Sequence, residues 1–135
     1  MAYDLSQYIG IPFLDHGRDR AGCDCWGLVH LVYKEVLGID LPDMGDSYSD
    51  AYARSEVSAA MADEGGKDWC VDVTAGPWQP LDIMAFTRAG VECHVGLYVS
   101  PGEFLHVIKG TATAYERYDT MKWKRRLSRV VRWRG

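Results

Sequence analysis

Residues 22–38 read G-C-D-C-W-G-L-V-H-L-V-Y-K-E-V-L-G and predict a helix that begins at a cysteine. Apolar residues recur at the three-and-four spacing of one helix face, at Cys25, Leu28, Val29, Val32, Val36 and Leu37. Asp24 is a suitable N-cap, and Gly38 is a suitable stop directly after the last apolar position. The pattern therefore places Cys25 in the first turn of a helix that packs on a core.

The first turn of a helix is a place where a cysteine can become reactive. The unpaired backbone N–H groups and the positive end of the helix dipole favour a thiolate over a thiol. The thiolate is the nucleophilic form. The same position also suits a cysteine that merely packs, because free cysteine is among the most buried residue types. Cys25 is thus a candidate nucleophile that needs a base to support it.

Two histidines further along the chain can supply that base. His94 begins a predicted strand over 94–100, and His106 lies in a second predicted strand over 103–109. An imidazole can hold a thiolate as an ion pair and then protonate the leaving amine. A third polar group must orient the imidazole, and His106 is the candidate for this role.

Length and composition predict one globular domain over residues 1–135. Hydrophobic residues make up 47% and charged residues 25% of the chain, as in ordinary globular proteins. The net charge of −4 argues against a general nucleic-acid binder. No apolar run approaches the roughly 20 residues that a membrane span needs. The first residues lack the basic and apolar segments of a secretory signal, so we expect no signal peptide.

The four cysteines, at 23, 25, 70 and 93, do not predict a disulfide framework. The chain is neither small nor rich in cysteine, and no signal peptide points to an oxidising compartment. A zinc site built from Cys23, Cys25, Cys93 and His94 is a rival hypothesis. Its spacing argues against it, because structural zinc ligands usually come in pairs separated by two to four residues. We therefore predict no metal at the site.

The apolar pattern changes from helical to alternating along the chain. A short helix is predicted before Gly10, a polar loop over 15–22, and an alanine-rich helix over 47–64. Strands are predicted over 70–74, 81–87, 94–100, 103–109, 111–118 and 128–133. A turn is predicted at Pro101–Gly102, and the basic cluster 122–126 is assigned to a solvated loop. Helices that precede neighbouring antiparallel strands indicate an α+β fold.

Three segments together carry a family resemblance: D-C-W-G-L-V at 24–29, H-V-G-L-Y-V at 94–99 and F-L-H-V at 104–107. They resemble the NlpC-type papain-like cysteine peptidases that cut cell-wall peptides. That family shows D-C-S-G-L-V, then H-V-G-I-Y, then a third polar residue that is commonly histidine. Residues 80–83 also resemble the turn before the family's first core strand. The resemblance implies a papain-like α+β fold with N-terminal helices on an antiparallel sheet, and it implies no cofactor.

The resemblance implies a role for each matched residue. Cys25 would be the nucleophile, His94 the general base and acid, and His106 the group that orients His94. The implied reaction is endopeptidase cleavage of amide bonds in peptidoglycan stem peptides by this Cys-His-His triad.

Residues around the nucleophile are candidates for substrate binding or for the oxyanion site, namely Phe13, Asp15, His16, Asp24 and Trp26. Phe13 stands where the family often has a tyrosine that helps to form the oxyanion site. Backbone N–H groups around Cys25 would then supply more of the stabilisation. Trp26 stands where many cell-wall enzymes have serine, at a position that borders the substrate in the family.

Residues 10–29, G-I-P-F-L-D-H-G-R-D-R-A-G-C-D-C-W-G-L-V, resemble the phage and prophage tail-assembly branch. Those proteins commonly have tryptophan after the nucleophile, a G-R-D loop before it and no signal peptide. The resemblance implies synthesis in the host cytoplasm, location in the virion tail and other tail-tip proteins as partners. The alternative function is a structural tail-tip component with weak or lost peptidase activity, which Phe13 and Trp26 favour.

Overall fold

The computed structural model describes residues 4–41, 70–88 and 91–133, with residues 91–93 described by their backbone alone. The predicted helix over 47–64 lies outside these ranges. Within them the predicted α+β architecture is confirmed, because an N-terminal helical part packs on a six-stranded antiparallel sheet. No helix in the described ranges is long and apolar enough to cross a bilayer.

The N-terminal segment leads from one turn of 3-10 helix, Ser6–Tyr8, into a tight hairpin. In this hairpin β1 (Arg18–Asp19) pairs antiparallel with β2 (Gly22–Cys23). The region predicted as a polar loop therefore contains two strands, each too short to produce an alternating pattern. The backbone of Cys23 also pairs with the preceding extended chain, donating to the Pro12 carbonyl at 3.1 Å. The hairpin thus delivers the chain to the main helix in a fixed position.

The main helix, α1, spans Cys25–Val32 and continues as a π-helical turn over Tyr33–Leu37. The predicted start is confirmed, since the Asp24 side chain caps the first turn. The predicted stop is also confirmed, because Gly38 ends the helix in the left-handed conformation at φ 67°. Seven of the eight residues of α1 are buried, so its apolar surface is wider than predicted.

Six strands form the sheet in the order β3-β8-β4-β5-β6-β7, and every neighbouring pair is antiparallel. They are β3 (Cys70–Asp72), β4 (Ile83–Arg88), β5 (Val91–Ser100), β6 (Glu103–His106), β7 (Ala114–Arg117) and β8 (Leu127–Trp133). All six overlap predicted strands, although β3, β6 and β7 are shorter than predicted and β5 begins at Val91 rather than at His94. The turn at Pro101–Gly102 joins β5 to β6, as predicted.

The sheet carries an apolar cluster on each face. On one face α1 packs against β5, where Val95 and Leu97 join the helix side chains in one core. The other face carries a second cluster that includes Phe86, Phe104 and Trp123. Side chains alternate between the faces along each strand, so the strand that holds His94 contributes to both clusters.

The prediction of a solvated loop over 122–126 is wrong for the loop and for Trp123, whereas Lys122, Lys124 and Arg125 are exposed as predicted. Met121–Lys124 form one helical turn that directs Trp123 inward, where only 1% of it is exposed. Lys122 and Arg126 place their cationic groups over the indole, 5.2 and 4.5 Å from its ring centroid. The basic side chains therefore flank an aromatic anchor of the second cluster through cation–π contacts.

Candidate active site

Cys25 is the first residue of α1, as the sequence predicts, and it is 6% exposed. The preceding residue, Asp24, caps the helix through Oδ1, which accepts the Gly27 backbone N–H at 2.7 Å. The cysteine therefore lies at the positive end of the helix dipole. This position favours a thiolate over a thiol.

Asp24 ties the preceding loop to the helix. Besides capping α1, its Oδ1 accepts from Arg18 Nη1 at 3.0 Å, and its Oδ2 accepts the His16 backbone N–H at 2.9 Å. The Asp24 side chain is fully buried. These contacts give Asp24 a structural role in the free protein, since its carboxylate holds both the loop and the start of α1.

The loop before Cys25 packs so closely on α1 that residue 27 must be glycine. A Cβ atom built on Gly27 would lie 1.8 Å from the Gly17 carbonyl oxygen and 3.0 Å from Arg18 Nη1. Both distances are too short for a side chain, and the first of these atoms belongs to the backbone. The glycine of the D-C-W-G motif thus lets the loop wall the first turn of the helix.

The other residues predicted to border the substrate lie around this loop. Phe13 forms a bridge with Cys23 and packs against the main core, while Asp15 and His16 are half-buried. His16 has a left-handed backbone with φ 62°. Trp26 is 3% exposed within the main core. The roles of these residues in substrate binding stay predictions.

The side chains of His94 and His106 meet between β5 and β6. His94 Nε2 lies 3.0 Å from His106 Nδ1, and both residues are buried. Gly96 makes this contact possible, because a Cβ atom there would lie 2.7 Å from the Phe104 ring and 3.2 Å from His106 Cβ. The glycine of the H-V-G motif therefore leaves the space that His106 and its neighbour Phe104 occupy.

Two residues that the sequence does not predict for the site extend this pair. Glu116 Oε1 lies 2.7 Å from His106 Nε2, and Glu116 Oε2 accepts the Trp123 indole N–H at 2.6 Å. The Trp123 ring also packs on both imidazoles, with centroids 5.5 Å from that of His94 and 5.0 Å from that of His106. The pairing of β7 with β6 puts Glu116 on the same face of the sheet as His106. The sequence does not give this pairing, so it cannot predict the contact.

Burial controls the protonation of the histidine pair. It lowers the pKa of His94 well below its ordinary value, and the positive charges of His106 and Arg126 act in the same direction. Burial also lowers the pKa of His106, although the Glu116 carboxylate partly opposes this effect. Because both pKa values are lowered from the ordinary histidine value, the fold favours the neutral form of both rings at neutral pH.

Cys23 differs from Cys25 in its environment. It is completely buried, and burial followed by the charge of Asp24 raises the pKa of its thiol to about 12. Cys23 is therefore a packed, protonated thiol at neutral pH. Among the described side chains, no group of three His, Cys, Asp or Glu residues is arranged to hold a metal ion. Cys93, one of the four ligands in the zinc hypothesis, is not among these described side chains.

Relatives of this chain include two enzymes with curated names. Gamma-DL-glutamyl hydrolase of Bacillus subtilis (strain 168) is 24% identical over 135 residues, covering 96% of this chain and 28% of that protein. Murein DD-endopeptidase MepS/Murein LD-carboxypeptidase of Escherichia coli (strain K12) is 23% identical over 123 residues, covering 91% of this chain and 56% of that protein. This chain thus spans between about a quarter and just over half of the length of these two relatives.

Solved structures share the fold. An NlpC/P60 family protein from Bacillus cereus ATCC 10987 superposes with a TM-score of 0.68 at 20% identity, covering 95% of this chain and 37% of that chain. The NlpC/p60 domain of the peptidoglycan hydrolase SagA superposes with a TM-score of 0.61 at 21% identity, covering 93% of this chain and 90% of that domain. The model of the NlpC/P60 family matches residues 10–132, a range that includes Cys25, His94 and His106. This chain belongs to the NlpC/P60 family.

Proposed function

We propose that this protein is a cysteine endopeptidase that cleaves amide bonds in peptidoglycan stem peptides. The observation that carries the proposal is the buried contact of 3.0 Å between His94 and His106, in a family member whose α1 begins with Cys25. The substrate class is taken from the resemblance and from relatives named as a gamma-DL-glutamyl hydrolase and a murein endopeptidase. The resemblance implies a bond between a γ-glutamyl residue and a diamino acid. Of the two relatives' names, only gamma-DL-glutamyl hydrolase shares the γ-glutamyl group with that bond.

The first chemical step forms a thioester. The neutral imidazole of His94 accepts the thiol proton of Cys25, and the resulting sulfur anion attacks the carbonyl carbon of the amide. The carbon–sulfur bond forms, the carbon–nitrogen bond breaks, and the His94 imidazolium gives its proton to the departing amine. The acyl part of the substrate is then bound to Cys25, and His94 is neutral again.

The second step releases the acid. His94 accepts a proton from a water molecule as the water oxygen attacks the thioester carbon. The carbon–sulfur bond breaks, and the proton returns from His94 to the sulfur of Cys25. A single imidazole therefore acts as base and acid in both halves of the reaction.

Oxyanion stabilisation in this scheme comes mainly from the backbone. The backbone N–H groups of the first turn of α1 lie at the positive end of the helix dipole, beside Cys25. Phe13 has no hydrogen-bond donor, so its side chain cannot share this task. We therefore assign the role to N–H groups near Cys25, with Asp24 holding the turn that presents them.

Digestion of defined muropeptides, followed by mass measurement of the products, tests this proposal. We expect the parent protein to release two fragments whose masses add up to the substrate plus one water. Cys25→Ala should release neither fragment. The matched variant Cys23→Ala removes the neighbouring buried thiol, and its activity per amount of folded protein should equal that of the parent. Equal cleavage by the parent and by Cys25→Ala would remove Cys25 from the reaction.

A structural tail-tip component is the second candidate function, and two substitutions favour it. Phe13 replaces a frequent oxyanion tyrosine, and Trp26 replaces a serine beside the nucleophile. The resemblance of residues 10–29 to phage tail-assembly proteins supports synthesis in the host cytoplasm, a place in the virion tail and other tail-tip proteins as partners. A folded parent protein that releases no product from any muropeptide preparation would favour this candidate over the enzyme.

A further inference from the structure

A chain of hydrogen bonds continues beyond the two histidines of the proposed triad. It runs from His94 to His106 at 3.0 Å, from His106 to Glu116 at 2.7 Å, and from Glu116 to the Trp123 indole at 2.6 Å. Its members come from β5, β6, β7 and the helical turn that follows. The chain of hydrogen bonds thus joins three neighbouring strands of the sheet and the helical turn after them.

The direction of each hydrogen bond follows from the far end of the chain. An indole N–H can only donate, so Glu116 Oε2 accepts from Trp123. Burial raises the pKa of Glu116, but the hydrogen bonds from Trp123 and His106 outweigh it and lower the pKa. The carboxylate is therefore ionised at neutral pH and accepts at both oxygens, so His106 carries its proton on Nε2.

The protonated nitrogen of His94 follows from that of His106. A neutral imidazole has one N–H group, so His106 Nδ1, which faces His94, is an acceptor. His94 Nε2 must then donate to it, and His94 Nδ1 is left without a proton. This unprotonated nitrogen is the only ring atom of His94 that can take a proton from a thiol.

We propose that Glu116 is a positioning residue of the active site. Glu116 is anchored by Trp123, and it fixes the tautomers of both histidines so that His94 Nδ1 is the proton acceptor for Cys25. The assignment to Cys25 rests on the proposed function. The tautomer chain itself can be measured without any substrate.

Glu116 is the anionic group beside His94 and His106, and the other charged groups that act on these two rings are cations. Arg126 acts on both histidines and Lys122 acts on His106, and these cations lower the pKa values of the rings. Glu116 raises the pKa of His106 against them. The carboxylate is 37% exposed, so solvent weakens its charge without breaking its hydrogen bonds. Removing the carboxylate should therefore lower the pKa of the histidine pair further.

Imidazole ¹H–¹⁵N correlation spectra of the full chain at neutral pH test the tautomers directly. His94→Gln and His106→Gln assign the signals. We expect both rings in the Nε2–H form. An Nδ1–H form at either ring, or a rapid mixture of the two forms at His106, would overturn the inference.

Kinetics of Glu116→Gln on defined muropeptides give an independent test. Glutamine offers one acceptor oxygen and one N–H₂ donor where glutamate offers two acceptors. Either one of the two hydrogen bonds is lost, or the amide donates to His106 Nε2 and reverses the tautomers of both histidines. We expect kcat to fall by roughly 10- to 100-fold, the usual effect of losing a group that orients a functional histidine, with KM close to the parent value. The acid limb of kcat/KM should move to lower pH, because the pair loses its anionic partner.

Glu103→Gln is the matched control, since it makes the same substitution on β6 outside the hydrogen-bond chain. We expect its kcat and pH profile to match the parent. Parent-like kcat and pH profile in Glu116→Gln would overturn the inference while leaving the proposed function intact. If the parent cleaves no muropeptide, the proposed function fails, and the tautomer measurement alone decides the role of Glu116.

Discussion

Replacing Asp24 with alanine should destabilise the fold strongly, because one carboxylate serves three donors. It caps α1 at the Gly27 N–H, holds the His16 N–H and pairs with Arg18, at 2.7, 2.9 and 3.0 Å. Loss of an N-cap costs about 1 kcal/mol. The His16 N–H also loses its Asp24 acceptor, and an unsatisfied buried donor costs about 1–3 kcal/mol of stability. Arg18 is partly exposed, so its guanidinium can turn towards water at little cost. We expect a total loss of about 2–4 kcal/mol.

Urea unfolding of the parent, Asp24→Ala and Asp24→Asn measures this loss. Asparagine keeps one acceptor oxygen and places an amide N–H₂ where the second oxygen stood, so we expect a smaller loss of about 1–2 kcal/mol. A loss of about 3 kcal/mol corresponds to a midpoint lower by about 1–3 M urea at the slopes usual for small proteins. The slope itself should not change.

Asp119→Ala is the matched control for this prediction. Asp119 also pairs with an arginine, Arg117, at 2.7 Å, but both side chains are about half exposed. Such surface pairs contribute little to stability, so we expect a midpoint close to that of the parent. Unfolding of Asp24→Ala at the same urea concentration as Asp119→Ala would refute the structural role of Asp24.

Three further predictions follow from the packing and the charges of the site. Gly27→Ala forces the Gly17 carbonyl away from α1, and we expect it to lower the free energy of unfolding in urea by roughly 1–3 kcal/mol; an unchanged midpoint would contradict the close packing. Gly96→Ala places a Cβ atom against the Phe104 ring and His106 Cβ, so the kcat of muropeptide cleavage should fall. A parent-like kcat would show that His106 does not need the space left by Gly96. Because His94 and His106 have lowered pKa values in the fold, their contribution to stability is complete above the ordinary histidine pKa and is lost as pH falls through the folded values. Urea titrations should therefore give lower stability at pH 5 than at pH 7.5, and His106→Gln should weaken this dependence.

The sequence predicts the part of the fold that local signals encode. Asp24 and Gly38 mark the ends of the main helix, and the alternating segments locate all six strands of the sheet, because capping and periodicity depend on neighbouring residues. The π-helical turn over Tyr33–Leu37 carries no such signal. The hairpin of β1 and β2 is missed for the same reason, since strands of two residues show no period.

The candidate site is predictable where the chain places its residues in a motif. Cys25 lies at the helix start as predicted, and the family resemblance pairs His94 with His106 before any register is known. Glu116 is not predicted, because its contact with His106 requires the pairing of β6 with β7. Trp123 is not predicted either, because its basic neighbours indicate a surface loop, whereas one helical turn directs the indole into the second cluster.

The measurement that tests the central claim most directly is the rate at which iodoacetamide alkylates Cys25 as a function of pH, in the parent and in His94→Ala. Peptide mass spectrometry resolves Cys25 from the other cysteines, including the protonated Cys23. We expect selective reaction of Cys25 near neutral pH in the parent. The rate should be at least about tenfold lower in His94→Ala, because this variant lacks the imidazole that accepts the thiol proton. Equal rates in the two proteins, or uniform slow labelling of all four cysteines, would contradict the pairing of Cys25 with His94.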